Sequence, residues 1–245
     1  MFEVPEFFNS LKNAQVWLVG SHLYGIADEN SDMDFGAIFF DPAKHVDPFY
    51  NDNVTNTNST NDYYAHDLAK YARLLHKGNP NLVDLVFTTP VTRSPVVTHF
   101  IGVVRDYVIH QGLLRAYYGY AQSQAKRGFL YRTRENPDRL AQVEELGYDP
   151  KFVSHLLRLC FQGRKMLETG RYADLNEFPE TQHFLREVKR GELTLQHAES
   201  VVELNVGMFK DAMTKYLDDL PTNEEYERVA RNFFISYFSQ KERVR

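Results

Sequence analysis

Residues 16–40 read V-W-L-V-G-S-H-L-Y-G-I-A-D-E-N-S-D-M-D-F-G-A-I-F-F. Gln15–Val19 has the length and the Val/Trp content of a buried strand. Gly20-Ser21 ends it, a polar connection follows, and Phe35–Phe40 is a second apolar run that stops at Asp41-Pro42. Asp32 and Asp34 stand at the mouth of that second strand. Positions i and i+2 of a strand share a face, so the two carboxylates project together. Such a pair repels and pushes one pKa upward unless a divalent cation sits between them, and hard oxygen ligands suit Mg2+. Gly20 lets the backbone approach a ligand closely. Ser21 is placed to cap the next helix and to offer hydroxyl and amide to a phosphate. Singly, an Asp-x-Asp is common in loops and Gly-Ser is an ordinary turn. Their order between two apolar strands makes a site for metal plus triphosphate.

Outward from this stretch, Phe2 to Lys12 has helical spacing, with Phe7, Phe8 and Leu11 on one face. Residues 47–62 are rich in Asn, Thr and Asp and read as an exposed, mobile loop. A third strand is expected from Tyr63 to Leu68, then a helix from about Asp67 to Lys77 that stops at Gly78-Asn79-Pro80. Leu82–Phe87 is a short apolar segment broken by Asp84. From Asp106 onward helical patterns dominate, at roughly 106–127, 151–169, 180–190, 195–217 and 223–238. The fold class is therefore α+β: a small mixed β-sheet core followed by an all-helical C-terminal part. Two domains are expected, 1–105 and 106–245.

The chain has 245 residues, of which 43% are hydrophobic and 14% aromatic, enough to bury a sizeable core. Mean hydropathy is -0.47 and no long uncharged apolar stretch occurs, so no membrane partner is expected. Acids stand at the N-terminus where a signal peptide carries basic residues, and the expected compartment is the cytoplasm. Cys160 is the only cysteine, which excludes an internal disulfide and a thiolate zinc cluster. The net charge of -5 is uneven: residues 1–70 hold eleven acids against three Lys or Arg, and the remainder 22 acids against 25. An acidic protein does not coat nucleic acid indiscriminately. Its acidic first third suits cations and its later basic residues suit a polyanion.

The stretch G-S-H-L-Y-G-I-A-D-E-N-S-D-M-D-F-G resembles the signature of the DNA polymerase β-like nucleotidyltransferase superfamily. It is closest to the predicted nucleotidyltransferases grouped with RNA-repair systems. The helix that closes at Lys77-Gly78-Asn79-Pro80-Asn81, with Leu82 to Phe87 after it, is similar to a second phrase of that family. His155-Leu156-Leu157-Arg158-Leu159, Glu168-Thr169-Gly170 and Arg190-Gly191-Glu192-Leu193 echo its helical half. The resemblance spans about residues 15–195.

The resemblance implies a nucleotidyltransferase that moves an NMP from an NTP to a hydroxyl acceptor, using three carboxylates and two Mg2+ ions, or Mn2+ in their place. Asp32 and Asp34 supply two ligands. Asp62, which opens the third strand, is the expected third, with Asp84 and Asp67 as alternatives; Asp67 also suits a helix cap. Gly20 and Ser21 form the phosphate clamp. Lys70 and Lys77 lie on the adjacent helix, as either a solvated face or a phosphate contact. Lys151, His155, Arg158, Gln162 and Lys165 recur as one polar stripe, either the wet side of a helix or, at His155 and Arg158, a triphosphate contact. Arg127, Arg132, Arg134 and Arg139 with Phe129 and Tyr131 have the mixture that stacks on single-stranded nucleic acid. An RNA 3′ end is the acceptor the resemblance favours; a small-molecule or protein hydroxyl stays open. The competing readings are a nucleotide-binding regulatory module without turnover and an interaction protein whose helical half holds a partner. The oligomeric state is not encoded.

Overall fold

The computed structural model describes residues 4–29, 31–42, 53–58, 61–131 and 137–242, with the side chains of 53–58, 61–62, 130–131, 137–139 and 240–242 excepted. A 3-10 turn, Glu6–Ser10, stands where a longer helix was expected. Strand β1 (Gln15–Val19) leads into a single helical turn α1 (Gly20–Leu23), and β2 (Asp34–Phe39) follows. β3 (Asn53–Asn58) and β4 (Asn61–Asp67) complete a sheet of order β1-β2-β4-β3. β1 and β3 run antiparallel to their neighbours, while β2 and β4 are parallel. β3 corrects the expectation of a loop over 47–62. Its Asn/Thr sequence has no apolar face, and backbone pairing to β4 holds it.

The helices are α2 (Leu68–His76), α3 (Pro80–Phe87), α4 (Pro95–Val104), α5 (Gln111–Lys126), α6 (Pro137–Leu146), α7 (Pro150–Thr169), α8 (Pro179–Arg190), α9 (Leu195–Tyr216) and α10 (Asn223–Glu242). The segment Leu82–Phe87 belongs to α3, started by Asn79, whose side chain accepts from the Asn81 N–H, with Pro80 in the first turn. Asp67 caps α2 by accepting from the Ala69 N–H at 2.8 Å. α4 is a helix despite its valines, because Val97, Phe100, Ile101 and Val104 fall on one buried face.

One face of the sheet packs on the N-terminal turn, where Phe8 meets Phe35, Ala37, Phe39 and Ala65. The other face carries Trp17, Val19 and Ile38 into the principal core, which runs through α2–α5 and α7 to Phe209 of α9 and Phe233 of α10. α10 returns to the sheet half. Tyr226 donates to the Ala72 carbonyl at 2.9 Å, and the rings of Tyr237 and Phe40 lie 5.0 Å apart edge to face. No helix among the described residues is long and apolar enough to cross a membrane.

α7 and α9 approach each other where Gly163 faces the fully buried Phe209 ring, and a methyl group at 163 would collide with that ring. Overpacking of this kind costs about 1–3 kcal/mol. Gly163→Ala is expected to lower the unfolding free energy by that amount in urea titration. A wild-type midpoint would show that the helices are not in close contact.

Candidate active site

A cleft of about 660 Å³ opens between the start of β2 and the helices α7 and α8. Its sheet-side wall holds Gly20, Ser21, Asp28, Ser31, Asp32 and Asp34. Lys151, His155, Arg158 and Lys189 face them from the helical side.

Asp34 pairs with Val19 across the strands, which sets its carboxylate against the next residue, Gly20. Gly20 has φ 65°, and a Cβ there would fall on the Asp34 carboxylate. Backbone conformation and close approach therefore both require glycine. β2 begins at Asp34, so Asp32 sits in the connection before the strand and not on it, yet both acids reach the same cleft. Ser21 is not a helix cap: the turn starts at Gly20 with Val19 before it, and no side-chain capping bond forms. Its hydroxyl has no partner among the described residues and lines the cleft.

The third carboxylate divides as follows. The parallel register Phe35↔Tyr63 puts position 62 of β4 beside position 34 of β2. The Asp62 side chain lies outside the described residues. Asp67 is buried as the α2 cap. Asp84 is wholly buried behind the cleft wall, where Tyr172 donates to Oδ1 at 2.6 Å and Tyr24 donates to Oδ2. Burial pushes its carboxyl upward, and Arg158 with the two tyrosines pulls it back down. Among the described residues, no three His, Cys, Asp or Glu side chains gather as a metal site.

The stripe on α7 is buried at its centre and is not the wet side of the helix. Arg158 is 2% exposed, and its guanidinium lies 3.9 Å from the Tyr24 ring centre and 3.8 Å from Asp84 Oδ2. It donates to Gln162 Oε1 at 2.7 Å, and Gln162 in turn donates to the Ala173 carbonyl at 2.9 Å. Arg158 Nη2 also meets His155 Nε2 at 3.2 Å. A guanidinium only donates, so Nε2 accepts and the imidazole proton sits on Nδ1. Lys151 is exposed at the rim, and its ammonium has no partner among the described residues. Lys165 instead pairs with Glu168 at 3.2 Å.

Lys70 and Lys77 do not line the cleft. Of the basic-aromatic stretch, Arg127 lies over the Phe152 ring and Phe129 packs on the core. Arg132 and Arg134 lie outside the described residues, as do the side chains of Tyr131 and Arg139. Sequence reasoning missed Lys189, whose only signal was its place beside the Arg190-Gly191-Glu192-Leu193 phrase. It also missed Tyr64, whose ring crosses β2 at Gly36. A Cβ there would lie 2.6 Å from the ring, and the buried Tyr64 hydroxyl has no hydrogen-bond partner among the described residues.

Burial, then the charges of Arg158, Lys151 and Arg127, hold His155 down at about 3. Burial holds His110, which accepts the Leu113 N–H at the start of α5, down at about 4. Both are neutral when folded and regain an ordinary pKa near 6.5 when unfolded. Their stabilisation is complete above about pH 6.5 and is lost as pH falls toward those folded values. His155→Gln is expected to reduce proton uptake on unfolding by about one between pH 4.5 and 6, measured from the slope of stability against pH. An unchanged slope would mean that His155 is charged in the folded protein.

A protein of Enterobacteria phage T4, described as an uncharacterized 38.9 kDa protein in the nrdC-mobD intergenic region, is 33% identical over 122 residues, which is 44% of this chain and 36% of the phage protein. The match thus spans about a third of that relative's length. The solved structure of a nucleotidyltransferase-like protein from Exiguobacterium sibiricum 255-15 aligns over 86% of this chain and 71% of its own, at 12% identity and a TM-score of 0.33. The pattern of the RlaP family, described as the RNA repair pathway DNA polymerase beta family, matches residues 16–210. That match takes in both walls of the cleft and most of the chain, and the protein belongs to this family of DNA polymerase β-like nucleotidyltransferases.

Proposed function

We propose that the chain is a metal-dependent nucleotidyltransferase that moves an NMP from an NTP to an RNA 3′ hydroxyl, which loses its proton as pyrophosphate leaves the α-phosphorus. The observation that carries this reading is the Asp34 carboxylate set beside Gly20 and Ser21 in a cleft whose opposite wall is basic. The residues present fit Mg2+ or Mn2+. Asp32 and Asp34 supply hard oxygen ligands, the register brings position 62 alongside, and Gly20 leaves the Asp34 carboxylate the place where a Cβ would collide with it. When bound, such ions lower the pKa of the acceptor hydroxyl and neutralise the triphosphate.

The chain's own part is positioning and charge. The backbone of Asp34 is fixed by β1–β2 pairing, so its place in the cleft is set before substrate arrives. Ser21 presents a hydroxyl to a phosphate oxygen. Arg158 offers a guanidinium held rigid by Gln162, His155 and Tyr24. Lys151 meets negative charge at the rim. The description of the family as part of an RNA repair pathway supports an RNA acceptor. A cytoplasmic location goes with that role.

Asp34→Asn is expected to lower transfer of labelled NMP to an RNA oligonucleotide on the order of 10³-fold, the scale of several kcal/mol of lost charge stabilisation. EDTA should do the same to the wild type. Full activity in either case rules out the metal mechanism. NTP binding without transfer to any RNA, small-molecule or protein hydroxyl would make the chain a regulatory nucleotide-binding module.

Ser21 separates phosphate contact from stability, because it caps nothing. Ser21→Ala is expected to leave stability within about 0.5 kcal/mol. It should weaken NTP binding about tenfold, the worth of one hydrogen bond to a charged group. Ser21→Asp, which sets a negative charge against the triphosphate, should weaken it further at the same melting temperature. Unchanged NTP affinity in both folded variants would place the triphosphate elsewhere.

A further inference from the structure

The loop between α1 and β2 is held from outside by one face of α8. Gln182, Arg186 and Lys189 fall at i, i+4 and i+7, a single helical stripe. Gln182 donates to the Tyr24 carbonyl at 2.9 Å, and Arg186 donates to the Gly25 carbonyl at 2.5 Å. Gly25 has φ 65°, and a Cβ there would strike the Gln182 amide, so the turn and the stripe fit each other only through glycine. Further along, Lys189 Nζ donates to Ser31 Oγ at 2.8 Å and pairs with Asp28 Oδ2 at 3.2 Å.

Ser31 is the residue immediately before Asp32. Its hydroxyl accepts from the Asp28 N–H and donates to Asp28 Oδ1, both at 2.9 Å, while its N–H donates to the Asp28 carbonyl at 3.0 Å. Asp28 and Ser31 are thereby tied to each other, and the Lys189 ammonium, on the cleft wall, bridges their two side chains. Asp32 is not carried by the sheet, since β2 begins only at Asp34. Asp32 follows directly on this tied pair, and the Ser31 carbonyl that joins it to Asp32 lies 3.4 Å from His22 Nε2.

We propose that Lys189 is a positioning residue for Asp32: the helical half sets the geometry of the metal-binding acids through α8. This rests on the reading of Asp32 and Asp34 as metal ligands and adds to it the element that orients one of them. Residues behind the ligands of a metal commonly decide its affinity in this way.

The test uses Mn2+ alone, titrated into the full chain and followed by electron paramagnetic resonance. The sign of the effect separates positioning from plain electrostatics. Removing a cation from the cleft wall by charge alone would tighten binding of a divalent cation. Lys189→Met is expected instead to weaken Mn2+ binding about tenfold, the scale for loss of such a supporting partner. Lys189→Arg, which can still bridge Ser31 and Asp28, is expected to recover most of that affinity, and both variants should melt near the wild-type temperature. Mn2+ binding that is unchanged or tighter in Lys189→Met overturns the proposal, as does a loss that Lys189→Arg does not rescue. Asp34→Asn is the control for the underlying reading. If the wild type binds no Mn2+, or Asp34→Asn binds it as well as the wild type, the metal reading itself falls and the role of Lys189 with it.

Discussion

The buried meeting of Asp84 with Arg158 is the interaction on which the rest of the arrangement depends. Asp84 comes from α3, Arg158 from α7, Tyr24 from the turn after α1 and Tyr172 from the segment after α7. All four converge behind the cleft. Neither charge is exposed, and taking such a pair out of water costs several kcal/mol per ion before any attraction is counted. The cost is met only because every group has partners. Both Asp84 oxygens accept tyrosine hydroxyls, and Arg158 donates to Gln162 and to a neutral His155. A network that is satisfied in one geometry alone fixes how α7 sits against the signature loop.

That constraint explains where the sequence was legible and where it was not. The strand–Gly-Ser–acid–strand order was readable because each step is local: apolar run, turn, paired carboxylates, apolar run. The Leu68–Phe87 phrase was legible as a helix stop, but its second half was taken as a bare apolar segment. There the helix is set by Asn79 and Pro80 at its start and by partners for Asp84 that lie 60 and 88 positions away. The α7 stripe misled for the same reason. Periodicity shows that His155, Arg158 and Gln162 share a face, and polarity alone argues for water on that face. Their partners are Tyr24, Asp84 and the Ala173 carbonyl, none of which is close in sequence.

β3 and Ser21 failed differently. Asn53–Asn58 has no apolar alternation because it pairs through its backbone at the outer edge of the sheet, so side-chain periodicity is silent. Ser21 was one position off: the helical turn begins at Gly20, and a residue already inside a turn does not cap it. The misreading concerned stability, and what remains is a hydroxyl in the cleft with no partner among the described residues.

The uneven charge along the chain has its counterpart in the cleft. Asp28, Asp32 and Asp34 come from the acidic first seventy residues, and Lys151, Arg158 and Lys189 from the basic remainder. The two walls are tied to each other at one point, where Lys189 from the helical side pairs with Asp28 and Ser31 on the sheet side. Here two of the three cations are already committed, Arg158 to Asp84 and its neighbours, and Lys189 to Asp28 and Ser31. Commitments of this kind hold the charged groups of both walls in place, so a ligand that matched them would require little of them to reorganise. Lys151, at the rim and without a partner among the described residues, is the one cation of the three with all its donors still to give. The fold thus leaves its uncommitted donors at the rim and commits the deeper ones to its own structure, so an anion taken up in the proposed reaction would meet Lys151 before any group behind it.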